Sequence, residues 1–105
     1  MKLTAEERII VEDNMGLVGR VIKDKVHLPS GIFTYEDLFQ IGCIGLCKAA
    51  ATDRGGCFST YAYRLIWNEI CDALIRATVR MWMTKARRYL KEQPEIRAAY
   101  EEVLV

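Results

Sequence analysis

The chain has 105 residues, 51% of them hydrophobic, with two prolines; this suits one compact domain, is too short for two, and excludes a disordered chain. Fifteen Lys and Arg stand against 14 Asp and Glu, and a net charge of +1 selects no partner by itself. The N-terminal MKLTAEERII has no signal-peptide apolar run, and no uninterrupted apolar stretch approaches the ~18 residues of a membrane span, so a cytoplasmic protein without membrane contact is expected.

A first helix is predicted to start after Thr4, because Thr4 and Glu7 have capping-box spacing; Ile10, Leu17, Val18, Val21 and Ile22 continue it as an apolar stripe. The LPSG at Leu28–Gly31 ends that element. Thr34, with Asp37 three residues on, caps a second helix that runs to about Ala51. TDRGG at Thr52–Gly56 is a short loop, and Ser59 or Thr60 caps a long third helix whose core stripe is Ala62, Ile66, Ile70, Ala73 and Ala77. Beyond about Tyr89 the pattern loosens, and Pro94 precedes a last short helical stretch, PEIRAAYEEVLV. No strand, repeat or low-complexity segment emerges. The expected fold is all-α: a small helical bundle of three main helices over residues 1–91, with a short helical C-terminal tail over 92–105.

Two helix faces point away from the expected core. On the second helix Leu38, Ile41, Gly42, Gly45 and Ala49 share a side, and its small residues permit close helix approach; the opposite side carries Asp37, Gln40, Cys43, Ile44 and Cys47. That second set suits an interface, and equally a surface with one tolerated isoleucine. On the third helix, Thr60, Arg64, Trp67, Asn68, Cys71 and Ile75 lie opposite the core stripe, with Tyr61 at the edge. An aromatic, an amide and a guanidinium on one face suit stacking on and bonding to nucleic-acid bases. They suit a protein–protein hot spot as well, or burial under the tail.

Charge is unevenly spread. Arg64 to Lys91 holds seven basic and two acidic residues, leaving eight basic and twelve acidic elsewhere; a phosphate-holding patch and a simply solvated helix both account for this. Cys43, Cys47, Cys57 and Cys71 include no Cys-x-x-Cys pair and match no common zinc spacing, so free thiols and no metal are expected. The lone His27 has no partner pattern. Neither a cofactor nor an enzymatic activity is indicated.

EDLFQIGCIGLCKA (Glu36–Ala49) followed by FSTYAYRLIWNEICDALIR (Phe58–Arg76) resembles region 2 of the bacterial sigma-70 family of RNA polymerase sigma factors, whose pattern is approximately D-L-x-Q-x-G-x-x-G-L-x-K-A, a loop, then F-x-T-Y-A. DNMGLVGRVIKDKV (Asp13–Val26) resembles the family's first region-2 helix, and Ile66–Ile70 is similar to the sporulation-type factors. The resemblance implies a role in transcription initiation in a bacterial, nucleoid-associated setting. It implies that Asp37, Gln40, Cys43, Ile44 and Cys47 contact the clamp helices of the largest subunit of core RNA polymerase. The third helix would read the −10 promoter element. Asn68 and Cys71 would face duplex bases, Tyr61 with Phe58 and Thr60 would hold a flipped non-template adenine, and Asn14 and Leu17 would lie near a second flipped base. Trp67 shares that face, and Arg54, Arg64, Arg76 and Arg80 would hold phosphates.

The departures from the family pattern are specific. The loop Ala50–Cys57 is about three residues short, Gly56 sits where a melting aromatic is common, Arg64 and Leu65 replace the tandem tryptophans of primary factors, and Cys43 replaces a frequent Asn. They argue against autonomous melting and against a housekeeping role. Only ATVRMWMTKARRYLKEQPEIRAAYEEVLV follows Arg76, without a helix-turn-helix domain for the −35 element. This implies a stand-alone region-2 subunit served by a separate −35-reading subunit, or a truncated factor; an anti-sigma factor is a further implied partner. The stretch is expected to extend the third helix and cover the bundle with Met81, Trp82, Tyr89 or Tyr100. The competing expectation is a sigma-like regulator or decoy that occupies polymerase without melting promoters.

Overall fold

A computed structural model of the chain describes residues 2–27 and 33–92. At its start Thr4 and Glu7 close the expected capping box: the Glu7 backbone N–H donates to Thr4 Oγ1 at 3.1 Å, and the Thr4 N–H donates to Glu7 Oε1 at 2.8 Å. The helix so begun, α1 (Ala5–Asp13), does not run on through Leu17 as predicted. Asn14 stands at φ −115°, ψ 13°, its Nδ2 donates to Ile10 O at 2.7 Å, and its N–H and C=O engage Val11 O and Leu17 N three residues away. Such side-chain bonding to the local backbone competes with the helix ladder. The predicted first helix is therefore two, α1 and α2 (Met15–Lys25).

The helix stop expected at Leu28–Gly31 lies outside the described residues; α2 itself closes with the Val26 N–H on Ile22 O at 2.9 Å. The second expected capping box is present, Thr34 with Asp37, each side chain accepting the other's backbone N–H at 3.2 Å. It starts α3 (Tyr35–Thr52), which ends close to the predicted Ala51. The last helix, α4, runs Phe58–Glu92. Its start corrects the Ser59/Thr60 expectation: the Tyr61 N–H bonds Cys57 O at 3.2 Å, which makes Cys57 the capping residue.

Val18 and Val21 from α2, Leu46 and Ala49 from α3, and Ala62, Ile66 and Ile70 from α4 are fully buried in one cluster, with Leu38 and Ile22 beside them. Each large aliphatic side chain so buried stabilises by about 1.5–3 kcal/mol. Gly45 sets the approach of α3 to α4: a Cβ there would lie 2.6 Å from Leu65 O and 2.7 Å from Ile66 Cα. Lys48 and Glu69 form an ion pair across the same two helices.

The chain divides into two compact units, Met1–Leu74 and Ile75–Val105. Among residues 71–89 of α4 none is buried. Met81, Trp82 and Tyr89, expected to cover the bundle, are exposed; Tyr100, Pro94 and the final helical stretch lie outside the described residues. The described residues contain helices and no strand, so the all-α bundle expected from periodicity is the fold. No described helix is long and apolar enough to cross a membrane.

Candidate nucleic-acid interface

The interface is built around the turn that feeds α4. Asp53 Oδ1 accepts the Gly55 N–H at 3.2 Å, and Gly55 and Gly56 take φ of 98° and 87°, a backbone that side chains with a Cβ rarely adopt. The chain thereby reverses in five residues and delivers Cys57 to the helix start. Thr60 Oγ1 donates to Cys57 Sγ at 3.3 Å, and Ser59 Oγ lies 3.4 Å from the same sulfur. These hydroxyls, with the backbone of the first turn, hold the exposed Cys57 thiol down at about 7.

Behind this turn lies an open groove of about 610 Å³ lined by Thr52, Asp53, Arg54, Gly55, Cys57, Thr60, Tyr61 and Arg64. Tyr61 is half-buried against the core, and its hydroxyl sits 2.6 Å from Thr52 Oγ1. Thr52 spends its own proton on Lys48 O at 2.7 Å, so the Tyr61 O–H is the donor and the ring is fixed at both ends. Neither Arg54 nor Arg64 forms an ion pair with any described residue, which leaves both guanidinium groups available to an anion.

A second groove, of about 430 Å³, is lined by Leu17, Arg20, Ser59, Thr60, Tyr63 and Arg64. Thr60 and Arg64 belong to both. Tyr63 donates to Asp24 Oδ2 at 3.1 Å; partial burial and then this bond push its hydroxyl up. The predicted residues are thus brought together in part. Arg54, Thr60, Tyr61 and Arg64 share the first groove, and Leu17 joins Thr60 and Arg64 in the second. Phe58 and Trp67 are half-buried against the core, Asn14 is occupied with Ile10 O, and none of the three lines either groove. Asn68 is exposed further along α4, with Cys71 half-buried and its thiol pushed up by burial. Asp53, Cys57, Arg20, Ser59 and Tyr63 are not assigned to the site by the sequence, which offers Ser59 only as a helix cap and Cys57 only as a free thiol; the glycine pair next to a helix start is the available signal for Asp53 and Cys57.

On α3, Gln40 and Ile44 are exposed, and Cys43 and Cys47 are half-buried between them. Burial, then proximity to Cys47, pushes the Cys43 thiol up. Asp37 is exposed but its carboxylate already accepts the Thr34 N–H. All four cysteines are free thiols, and no group of three or more His, Cys, Asp or Glu among the described residues could hold a metal ion.

These observations define an all-helical domain with a close-packed α3–α4 pair and a cationic, aromatic-edged turn at the start of α4. The chain belongs to the Sigma-70 region 2 family, whose profile matches residues 10–80. That family is a transcription-factor-type domain rather than an enzyme family, and it places the chain in transcription initiation at the family level. No curated protein and no solved structure matches the chain.

Proposed function

We propose that the chain is a sigma-type initiation module that docks on core RNA polymerase and takes the non-template strand of the −10 element at the start of α4. The observation that carries this is the pair of grooves meeting at Thr60 and Arg64, one edged by the fixed ring of Tyr61. Flipping a base out of a duplex costs a few kcal/mol; stacking on an aromatic, with hydrogen bonds to the base edge, offsets about that much. Arg54 and Arg64 supply phosphate contacts that position the strand without reading it. Asn68 and Cys71 follow along α4 toward the duplex edge, and Leu17 edges the second groove for a second unstacked base. The exposed side of α3, with Asp37, Gln40 and Ile44 and the flanking Cys43 and Cys47, is the surface for the clamp helices of the polymerase's largest subunit. The setting is the bacterial cytoplasm.

Fluorescence anisotropy with a −10-like non-template oligonucleotide, with and without core polymerase, tests the DNA half. Binding should weaken with salt, and Tyr61→Ala should cost about 1–3 kcal/mol. No salt-sensitive binding in either condition sinks it.

A polymerase-binding regulator that does not melt promoters is the second reading. It is favoured by the short 53–57 turn, which carries two glycines and no aromatic. It predicts polymerase capture that depends on Asp37 and Gln40, with no open complex even when a −35-reading subunit is supplied.

A further inference from the structure

Between Ile75 and Tyr89, α4 carries Ile75, Val79, Trp82, Ala86 and Tyr89 at alternating four- and three-residue spacing. This is the heptad spacing of a coiled-coil seam. All five are exposed, Trp82 by 77% and Ile75 by 62%, and Met83 beside the seam is 48% exposed. Single exposed apolar residues are ordinary, but an aromatic-centred row on one helix face marks a contact surface. The charge around it is of one sign: no acidic residue occurs between Asp72 and Glu92, and Arg80, Lys85, Arg87 and Arg88 are all exposed.

That combination narrows the occupant. A second copy of the same seam would bring two helices of the same charge together, with Lys85 at each edge, which disfavours pairing. A nucleic-acid backbone would satisfy the arginines and leave Val79 and Trp82 in water. A membrane surface takes a broad apolar face, whereas this row is bordered along one edge by Thr78 and Lys85. We propose that residues 75–89 of α4 are a docking helix for another protein, pairing with a partner helix that carries heptad-spaced aliphatic residues flanked by Asp and Glu. Trp82 is the central anchor. Lys85, at the edge of the seam, selects the acidic partner, and the arginines behind it speed the encounter through their longer-range field.

The test uses the full chain and a labelled synthetic helix of about three heptads, with leucine at the seam and glutamate at the flanks, followed by anisotropy. Binding should weaken with added salt, and by about tenfold or more in Trp82→Ala and in the double variant Lys85→Glu/Arg87→Glu. Both substitutions touch exposed side chains only, and unchanged helix content by circular dichroism verifies that the chain still folds. Unaltered affinity in both variants, or equal binding of a lysine-flanked version of the peptide, overturns the proposal. So does Trp82-dependent binding to phosphatidylglycerol vesicles in the absence of peptide binding, which assigns the seam to a membrane. Trp82-dependent dimerisation in sedimentation without peptide binding overturns it in favour of a second copy. Neither polymerase nor promoter DNA is present in any arm, so its failure is distinguishable from failure of the proposed function.

Discussion

Up to Leu74, α4 sends Ala62, Ile66 and Ile70 into a core where they have no residual exposure; from Ile75 to Tyr89 the same helix leaves Ile75, Val79, Trp82 and Tyr89 more than half exposed. Both stretches repeat apolar residues at helical spacing, and both are helical. The difference is what faces them. The first meets Gly42 and Gly45 of α3, whose missing side chains let Ile66 and Ile70 close in. The second has no such counterpart among the described residues. A periodic stripe therefore specifies which side of a helix is apolar, while burial requires a surface shaped to receive it.

Substitutions should split along this line. Gly45→Val places a branched side chain against the Leu65 and Ile66 backbone, which cannot shift without parting α3 from α4; a loss of about 3 kcal/mol or more is expected in urea unfolding, enough to abolish a marginal fold. Ile66→Ala should cost about 2–5 kcal/mol by transfer and cavity terms. If it cost under about 1 kcal/mol, the buried half of α4 would be no better packed than the exposed half. Removing the α3 cap with Thr34→Ala should cost about 1 kcal/mol in the same measurement.

Cys57, at the helix start, has a predicted effect on rate. Its thiol titrates at about 7, below the ordinary 9.0. The contacts that hold the thiolate therefore contribute stability that is complete above the unfolded value and is lost as pH falls through about 7. Alkylation by iodoacetamide, followed by mass spectrometry, should show a midpoint near that pH for Cys57, while Cys43 and Cys71, pushed up by burial, react only in more alkaline solution. A Cys57 midpoint near 9 would mean that Ser59 and Thr60 do not reach the sulfur. The smallest effect belongs to the exposed half: Trp82→Ala should change stability by no more than about 0.5 kcal/mol, and a larger loss would show that the seam is already packed.

Much of this is legible in the sequence alone. Thr4 with Glu7 and Thr34 with Asp37 announced two helix starts because a capping box is a local bond pair, complete within four residues. Ala62, Ile66 and Ile70 are identifiable as core from spacing alone, but the same spacing also marks Ala73 and Ala77, which are only half-buried. The break at Asn14 is not legible, because the apolar stripe passes through it in register and the competing bond is made by one amide. Cys57 was missed as a cap because hydroxyl and carboxylate side chains dominate that position. The grooves around Arg64 depend on how α2 and the 53–57 turn meet α4, which no single segment encodes. The burial of Phe58 and Trp67 was likewise unreadable: an aromatic off the core stripe is long enough to reach the core from the side.

Arg64 carries one further consequence. It lines both grooves, and a guanidinium presents five N–H donors along two edges of one planar group. One side chain therefore contributes to the lining and the charge of both grooves at once. The grooves are coupled through it, so that Arg64→Ala removes a cation from both while Arg54→Ala removes one from the first alone.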